Sequence, residues 1–187
     1  MSTVAIIGAG PLGRWLALSA ARAGFKVLLE DVMPANLHHA QESLRQKLGP
    51  EHFRQGTAQE ASVAFVSTIE DAVREADLAI DCVPDELESK LEIFCLLDRM
   101  APPRTVLATP TTRLSIADLA ACTYRADKCV AISAEAGELA GRSADNGEGA
   151  EILLRTTRET AEETVLLVGK FWTRLGMTPR FEIDPGI

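Results

Sequence analysis

Val4-Ala5-Ile6-Ile7-Gly8-Ala9-Gly10-Pro11-Leu12-Gly13 stands near the N-terminus, and its reading decides the fold. A short apolar run rich in β-branched residues and stopped by glycine is the mark of a buried strand. Pro11 pre-sets the first turn of a helix. Leu12, Trp15, Leu16, Ala20 and Ala23 then recur at helical spacing, and Gly24 stands where a helix C′ residue is wanted. Val27-Leu28-Leu29 makes a second strand that ends at Glu30-Asp31. Strand, helix and strand with short connections form a unit that requires a parallel pair and a right-handed crossover.

The glycines of this stretch match G-x-G-x-x-G between a strand and a helix, with an acidic residue closing the next strand. Gly8 permits the tight turn, Gly10 lets a pyrophosphate approach the backbone, and Gly13 lets the helix pack close to the sheet. Unpaired N–H groups and the positive end of the helix dipole then face the phosphates, with Pro11 and Leu12 beside them. Asp31 lies 18 residues beyond Gly13, near the ~20 expected for a carboxylate that accepts both ribose hydroxyls. A 2′-phosphate would want a cation there, and Val32 and Met33 supply none, so the expected cofactor is NAD rather than NADP. FAD ranks below NAD because the chain is short for the extra domain that flavin enzymes of this type carry.

Downstream, strands and helices keep alternating. Pro34 to Leu48 reads as a helix, Val63 to Val66 as a strand, and Thr68 with Asp71 as the cap of a short helix. Leu78 to Val83 is a buried strand. Asp85 and Glu88 suggest the cap of a helix running to Met100, which Pro102 and Pro103 end. Thr105 to Ala108 and Val130 to Ser133 read as strands, with a helix capped by Ser115 between them. Glu135 to Gly149, with four glycines, reads as a surface loop. Glu151 to Leu154 returns to strand, Thr156 and Glu159 suggest the cap of the last long helix, and Thr178 to Ile183 is a final strand. The expected fold class is α/β: a doubly wound Rossmann-type domain, its sheet mostly parallel with helices on both faces, in a single domain over residues 1–187.

Composition narrows the function classes. The 187 residues carry 19 Lys and Arg against 27 Asp and Glu, a net charge of −8, with 47% hydrophobic residues. That is a globular balance. The acidic excess argues against nucleic acid or an anionic membrane surface as the main partner. No stretch approaches the ~20 apolar residues of a membrane span, and no basic n-region marks a signal peptide. Cys82, Cys95, Cys122 and Cys129 form no C-x-x-C pair and have no histidine at metal-ligand spacing. They read as small buried apolar residues in a reducing cytoplasm.

Further segments resemble a known family. Ala76-Asp77-Leu78-Ala79-Ile80-Asp81-Cys82-Val83-Pro84-Asp85-Glu86-Leu87-Glu88-Ser89-Lys90 is similar to A-D-L-V-I-E-A-V-P-E-D-L-x-x-K, and Ala108-Thr109-Pro110-Thr111-Thr112-Arg113-Leu114-Ser115-Ile116 to A-S-N-T-S-S-L-S-I. Leu175-Gly176-Met177-Thr178-Pro179 and Asp184-Pro185-Gly186 are similar to L-G-K-x-P and D-x-P-G. Together with Val4 to Gly13 and Val27 to Asp31, these segments resemble the NAD-binding N-terminal domain of the 3-hydroxyacyl-CoA dehydrogenases, enzymes of fatty acid metabolism. The resemblance implies hydride transfer between NAD and a 3-hydroxyacyl thioester or 3-hydroxy acid. It implies that Asp31 holds the adenosine ribose, that Val83 and Pro84 line the crevice, and that Asp85 lies near the nicotinamide ribose. It places Lys90 near the cofactor and CoA phosphates, Thr109 and Pro110 beside the nicotinamide, and Thr112 on the substrate.

The resemblance also breaks. Taking or returning the alcohol proton needs a base with a pKa near the working pH, which the family supplies as the histidine of H-F-F-N-P, oriented by a glutamate. The corresponding positions here are Ser133 and Ala136, and a serine hydroxyl alone is no base. Glu151 is the candidate partner glutamate, and Glu135 or Glu138 candidate replacement bases. The family's helical second domain has no counterpart in 1–187. A second copy or a partner chain is therefore expected over the nicotinamide face, with Trp15 and the 135–149 loop as candidates. The alternative to an enzyme is a non-catalytic, stand-alone NAD(H)-binding module that senses the cofactor or partners another chain.

Overall fold

The computed structural model describes residues 2–53, 62–134 and 149–184. Eight strands form one sheet: β1 (Thr3–Ile7), β2 (Lys26–Glu30), β3 (Val63–Val66), β4 (Leu78–Asp81), β5 (Val106–Pro110), β6 (Cys129–Ile132), β7 (Glu151–Thr156) and β8 (Thr178–Ile183). Their order is β3-β2-β1-β4-β5-β6-β7-β8. Neighbours pair in parallel throughout, except that β6 and β7 are antiparallel. The helices among the described residues are α1 (Pro11–Arg22), α2 (Pro34–Lys47), α3 (Ile69–Val73), α4 (Leu87–Met100), α5 (Ile116–Ala121) and α6 (Glu162–Arg174). Two 3-10 turns, Pro50–Phe53 and Ala126–Lys128, carry no signal in the sequence reading.

Two apolar cores lie on opposite faces of the sheet. Val4, Ile6, Val27 and Leu29 point to one, with Leu16 of α1 and Val168, Phe171 and Trp172 of α6. Ala5, Ile7, Ala79 and Leu107 point to the other, with Phe94 and Leu97 of α4 and Leu119 of α5. This alternation within fully buried strands is what helices on both faces demand. Arg174 at the end of α6 ties the first core to the N-terminal unit: its guanidinium lies 4.0 Å from the Phe25 ring centroid and its Nη2 donates to Ala23 O at 2.6 Å.

Two helix starts differ from the sequence reading. α4 begins after Glu86, whose side chain makes no capping bond, rather than on an Asp85 cap. α6 begins after Ala161. Thr156, read as part of the cap, is still in β7 and its hydroxyl donates to Glu182 O at 3.3 Å, while Thr157 and Thr160 form a local turn before the helix.

Candidate functional site

The sheet order reverses between β1 and β4, and chain leaving their C-terminal ends diverges there into a crevice. Gly8 turns out of β1 at φ +104, a conformation that suits only glycine. A side chain there would also press on the Cys82 backbone at 3.3 Å. Gly13 sits inside the turn, where an added Cβ would fall 1.8 Å from Gly8 O. Gly10 has the opposite environment: a Cβ there would meet nothing within 4 Å. Gly10 thus borders open space at the N-terminus of α1.

That space is a cleft of about 700 Å³. Gly8, Gly10, Pro11 and Leu12 line it from the first turn, and Asp31 from the end of β2. Val83, Pro84 and Asp85 line it beyond β4, Pro110 and Thr112 beyond β5. The structure also brings in Asn36, Cys82, Arg113 and Ala134, which the sequence reading did not single out. Arg113 did leave a signal, since it stands in a run where the similar pattern has serine. Asn36 left none.

Asp31 is buried and heavily bonded. Its Oδ2 accepts from Ala9 N at 2.9 Å and its Oδ1 from Met33 N at 2.8 Å. Asn36 Nδ2 donates to both oxygens, at 3.2 and 3.1 Å. The carboxylate therefore clamps the glycine turn to the end of β2, and its outer side carries the exposed Asn36 amide. Beside it, burial first and the Asp31 charge second push the Glu30 carboxyl up to about 7. Asp85 is the contrary case: its Oδ1 is buried in the cleft wall without a hydrogen-bond partner. An unpaired buried acceptor is costly, so this atom is poised for a donor from a bound group.

Three residues expected at the cofactor do not line the cleft. Gly13 is enclosed within the turn. Lys90 is 1% exposed; its ammonium donates to Asp81 Oδ2 at 3.1 Å and Thr109 Oγ1 at 2.8 Å, and a weaker bond at 3.4 Å reaches Val83 O. Thr109 Oγ1 in turn donates to Asp81 Oδ2 at 2.8 Å. This corrects the expectation of a lysine facing phosphates. A buried ammonium needs a buried counter-charge, and Asp81 at the end of β4 holds it under the floor, joined to β5. Burial pushes the Asp81 carboxyl up, and Lys90 opposes that push.

Ser133, expected at the position of the family's histidine, is bonded to β7. Ser133 N donates to Leu153 O at 2.8 Å, placing Leu153 opposite it on β7. Ser133 Oγ accepts from Arg155 Nε at 2.7 Å. Arg155 Nη2 donates to Thr111 O and Leu114 O, and Nη1 reaches Asp184 Oδ2 at 3.4 Å. Glu151, the candidate partner glutamate, instead pairs with Arg180 at 3.2 Å on an exposed edge. Glu135, Ala136 and Glu138 lie outside the described residues, as does the whole loop up to residue 148. Trp15 is half-buried against the core and lines a hollow with Arg14 and Leu44 between α1 and α2, away from the β5–β6 end. Of the four cysteines expected to be buried, Cys129 is; Cys82 and Cys122 are half-buried, Cys95 is exposed, and all four are free thiols. Among the described residues, no helix is long and apolar enough to cross a membrane.

Fold and cleft define a dinucleotide-binding α/β domain of the doubly wound class. Residues 3–133 match the family described as 3-hydroxyacyl-CoA dehydrogenase, NAD binding domain, and the chain belongs to that family. A probable 3-hydroxybutyryl-CoA dehydrogenase of Bacillus subtilis is 33% identical over 134 residues, 68% of this chain and 46% of that protein. The 5-formyl-3-hydroxy-2-methylpyridine 4-carboxylate 5-dehydrogenase of Mesorhizobium japonicum is 32% identical over 124 residues, 63% of this chain and 39% of that protein. The crystal structure of 3-hydroxybutyryl-CoA dehydrogenase from Escherichia coli K12 superposes with a TM-score of 0.80 at 25% identity, over 98% of this chain and 38% of that one. The matches thus span less than half the length of these relatives. The family's cofactor is NAD, and the residues present fit it: open space at Gly10, a carboxylate closing β2, and an orphaned acceptor on Asp85.

Proposed function

We propose that the chain holds NAD(H) across the C-terminal ends of β1, β2, β4 and β5. It would serve an oxidoreductase reaction that interconverts a 3-hydroxyacyl thioester or 3-hydroxy acid with its 3-oxo form. The observation that carries this reading is the open space over Gly10, framed by the α1 N-terminus and the two carboxylates Asp31 and Asp85. In it, the backbone of Gly8, Gly10, Pro11 and Leu12 receives the pyrophosphate, with Gly13 keeping α1 close enough to do so. Asp31 takes the adenosine ribose once the Asn36 amide withdraws, and Asp85 Oδ1 takes a hydroxyl of the second ribose. Val83 and Pro84 form the apolar wall, and Pro110 flanks the nicotinamide. Thr112 donates to the substrate oxygen. Thr109 and Lys90 keep the loops after β4 and β5 in place from below. Bound NAD supplies the hydride acceptor.

The proton is a separate matter, and here one contact favours the second reading, a non-catalytic NAD(H)-binding module. Ser133 Oγ accepts a bond from a cation, Arg155. Its hydroxyl can donate but is a poor acceptor for a substrate proton. The relatives include a CoA-thioester enzyme and a pyridine carboxylate enzyme, which supports carrying both substrate classes in the first reading. Following NADH absorbance with acetoacetyl-CoA and with acetoacetate decides between the readings. Oxidation with either supports the enzyme. NADH binding with no oxidation by either supports the module. A second copy or partner chain over the β5–β6 end is part of the proposal, and light scattering at micromolar concentration tests the self-association arm.

A further inference from the structure

Among the described residues, the cleft contains one cation that neither reading above uses. Arg113 stands next to Thr112 on the turn after β5, and its Nη2 donates across the cleft to Asp85 O at 3.0 Å, beyond β4. The turn that carries it is fixed. Thr111 Oγ1 accepts from Arg113 N at 3.3 Å and Leu114 N at 3.0 Å, and Arg155 Nη2 holds Thr111 O and Leu114 O from beneath. Arg113 is thus an exposed guanidinium on a rigid mount, tethered by one N–H to the opposite bank. Its Nε and Nη1 donors have no partner among the described residues, and no carboxylate there pairs with it.

Among the described residues lining the cleft, Arg113 is the sole cation, and the other charges are Asp31 and Asp85. Nη2 keeps a second N–H, which with Nε or Nη1 beside it leaves one two-donor face for a planar carboxylate. Thr112 and Arg113 are consecutive, exposed and both line the cleft, so one turn brings a hydroxyl and a guanidinium to it. That pairing matches a ligand whose C3 oxygen and C1 carboxylate lie two carbons apart. Lys90, the cation that the resemblance assigns to CoA phosphates, is sealed beneath the floor.

We infer that Arg113 is a specificity-determining residue that takes the free carboxylate of a 3-hydroxy or 3-oxo acid, directing the site toward acids rather than CoA thioesters. This rests on the NAD-binding reading, so the two are tested separately. Isothermal titration with NAD+ alone tests the cofactor. Acetoacetate is then titrated into the NAD+-saturated protein, where no hydride is available for turnover, beside methyl acetoacetate and acetoacetyl-CoA. A charge-assisted bond of this kind corresponds to about ten- to a hundredfold in affinity. Acetoacetate is expected to bind that much more tightly than its neutral ester. Arg113→Gln should erase the preference and Arg113→Lys restore part of it, with NAD+ affinity within about twofold of the parent. Equal binding of acid and ester by the unaltered protein overturns the inference, as does a preference that survives in Arg113→Gln. So does an Arg113→Gln loss confined to acetoacetyl-CoA, which would assign the guanidinium to a CoA phosphate. A flat trace with NAD+ alone removes the cofactor reading instead.

Discussion

Arg155 Nε donates to Ser133 Oγ at 2.7 Å, so a guanidinium occupies the hydrogen-bonding environment of the residue that the sequence reading set against the family's histidine. The contact belongs to a larger junction. Arg155 also holds the turn carrying Thr112 and reaches Asp184, whose Oδ2 accepts from Ile116 N at 2.7 Å. One residue of β7 thereby connects β5, β6, α5 and the end of β8. The Ser133 hydroxyl is thereby part of a structural junction.

The two partners should therefore behave unequally. Ser133→Ala loses one hydrogen bond and should cost about 1 kcal/mol. Arg155→Gln strips donors from two carbonyls and a buried carboxylate and should cost about 2–3 kcal/mol. Urea denaturation measures both, and equal costs would deny the junction.

Lys90 and Asp81 form a buried pair with side-chain exposures of 1% and 0%. Lys90→Met should destabilise the domain by about 3–5 kcal/mol, because it strands a buried carboxylate. Lys90→Met combined with Asp81→Asn should recover part of that loss. Denaturant midpoints for the single and double variants check this; a double variant no better than the single would refute the charge-stranding explanation.

Asp31 and Asn36 should act in opposite directions on the cofactor. Asp31→Ala removes the ribose acceptor and should weaken NADH binding about ten- to a hundredfold. Asn36→Ala removes the amide that shares both carboxylate oxygens and should tighten binding by roughly two- to fivefold. Fluorescence titration with NADH reads both, and weakening by Asn36→Ala would make that amide a ligand rather than a competitor.

Glu30 predicts a pH dependence. Its carboxyl is raised to about 7 when folded, chiefly by burial, against 4.5 as the ordinary value. The folded state therefore holds the extra proton between those values. The stability this contributes is complete below about pH 4.5 and is lost as pH rises through 7. Glu30→Gln should abolish that loss, gaining about 1–3 kcal/mol at pH 8.5 and little at pH 4. Thermal melts across that range give the comparison, and a gain independent of pH would exclude titration of Glu30 as its source.

The parts of the fold that were legible are those where local pattern and tertiary demand agree. Val63–Val66 and Thr178–Ile183 are short strands bounded by turn or cap residues, and their expected bounds match the observed ones. The Gly8-to-Gly13 turn was legible because only glycine meets its φ and its 1.8 Å approach. Helix starts at Glu86 and Ala161 were not, since neither side chain makes a capping bond, and Asp85 and Thr156 nearby imitate a cap. Lys90 misled for a different reason. Its burial depends on Asp81 and Thr109, nine and nineteen residues away in the chain, and no local pattern announces a partner that distant. The Ser133–Arg155 bond, spanning 22 residues across antiparallel strands, was hidden in the same way.

Gly10 separates cofactor binding from folding better than any other residue here. Its missing Cβ leaves open space, whereas that of Gly13 would collide with Gly8 O. Calorimetric titration of NADH into the unaltered protein and into Gly10→Val, with a melt of each, is the most direct measurement. A clear isotherm for the first, a flat trace for the second and melting points within a few degrees are the predicted result. No heat of binding from the unaltered protein, or full affinity in Gly10→Val, would contradict it.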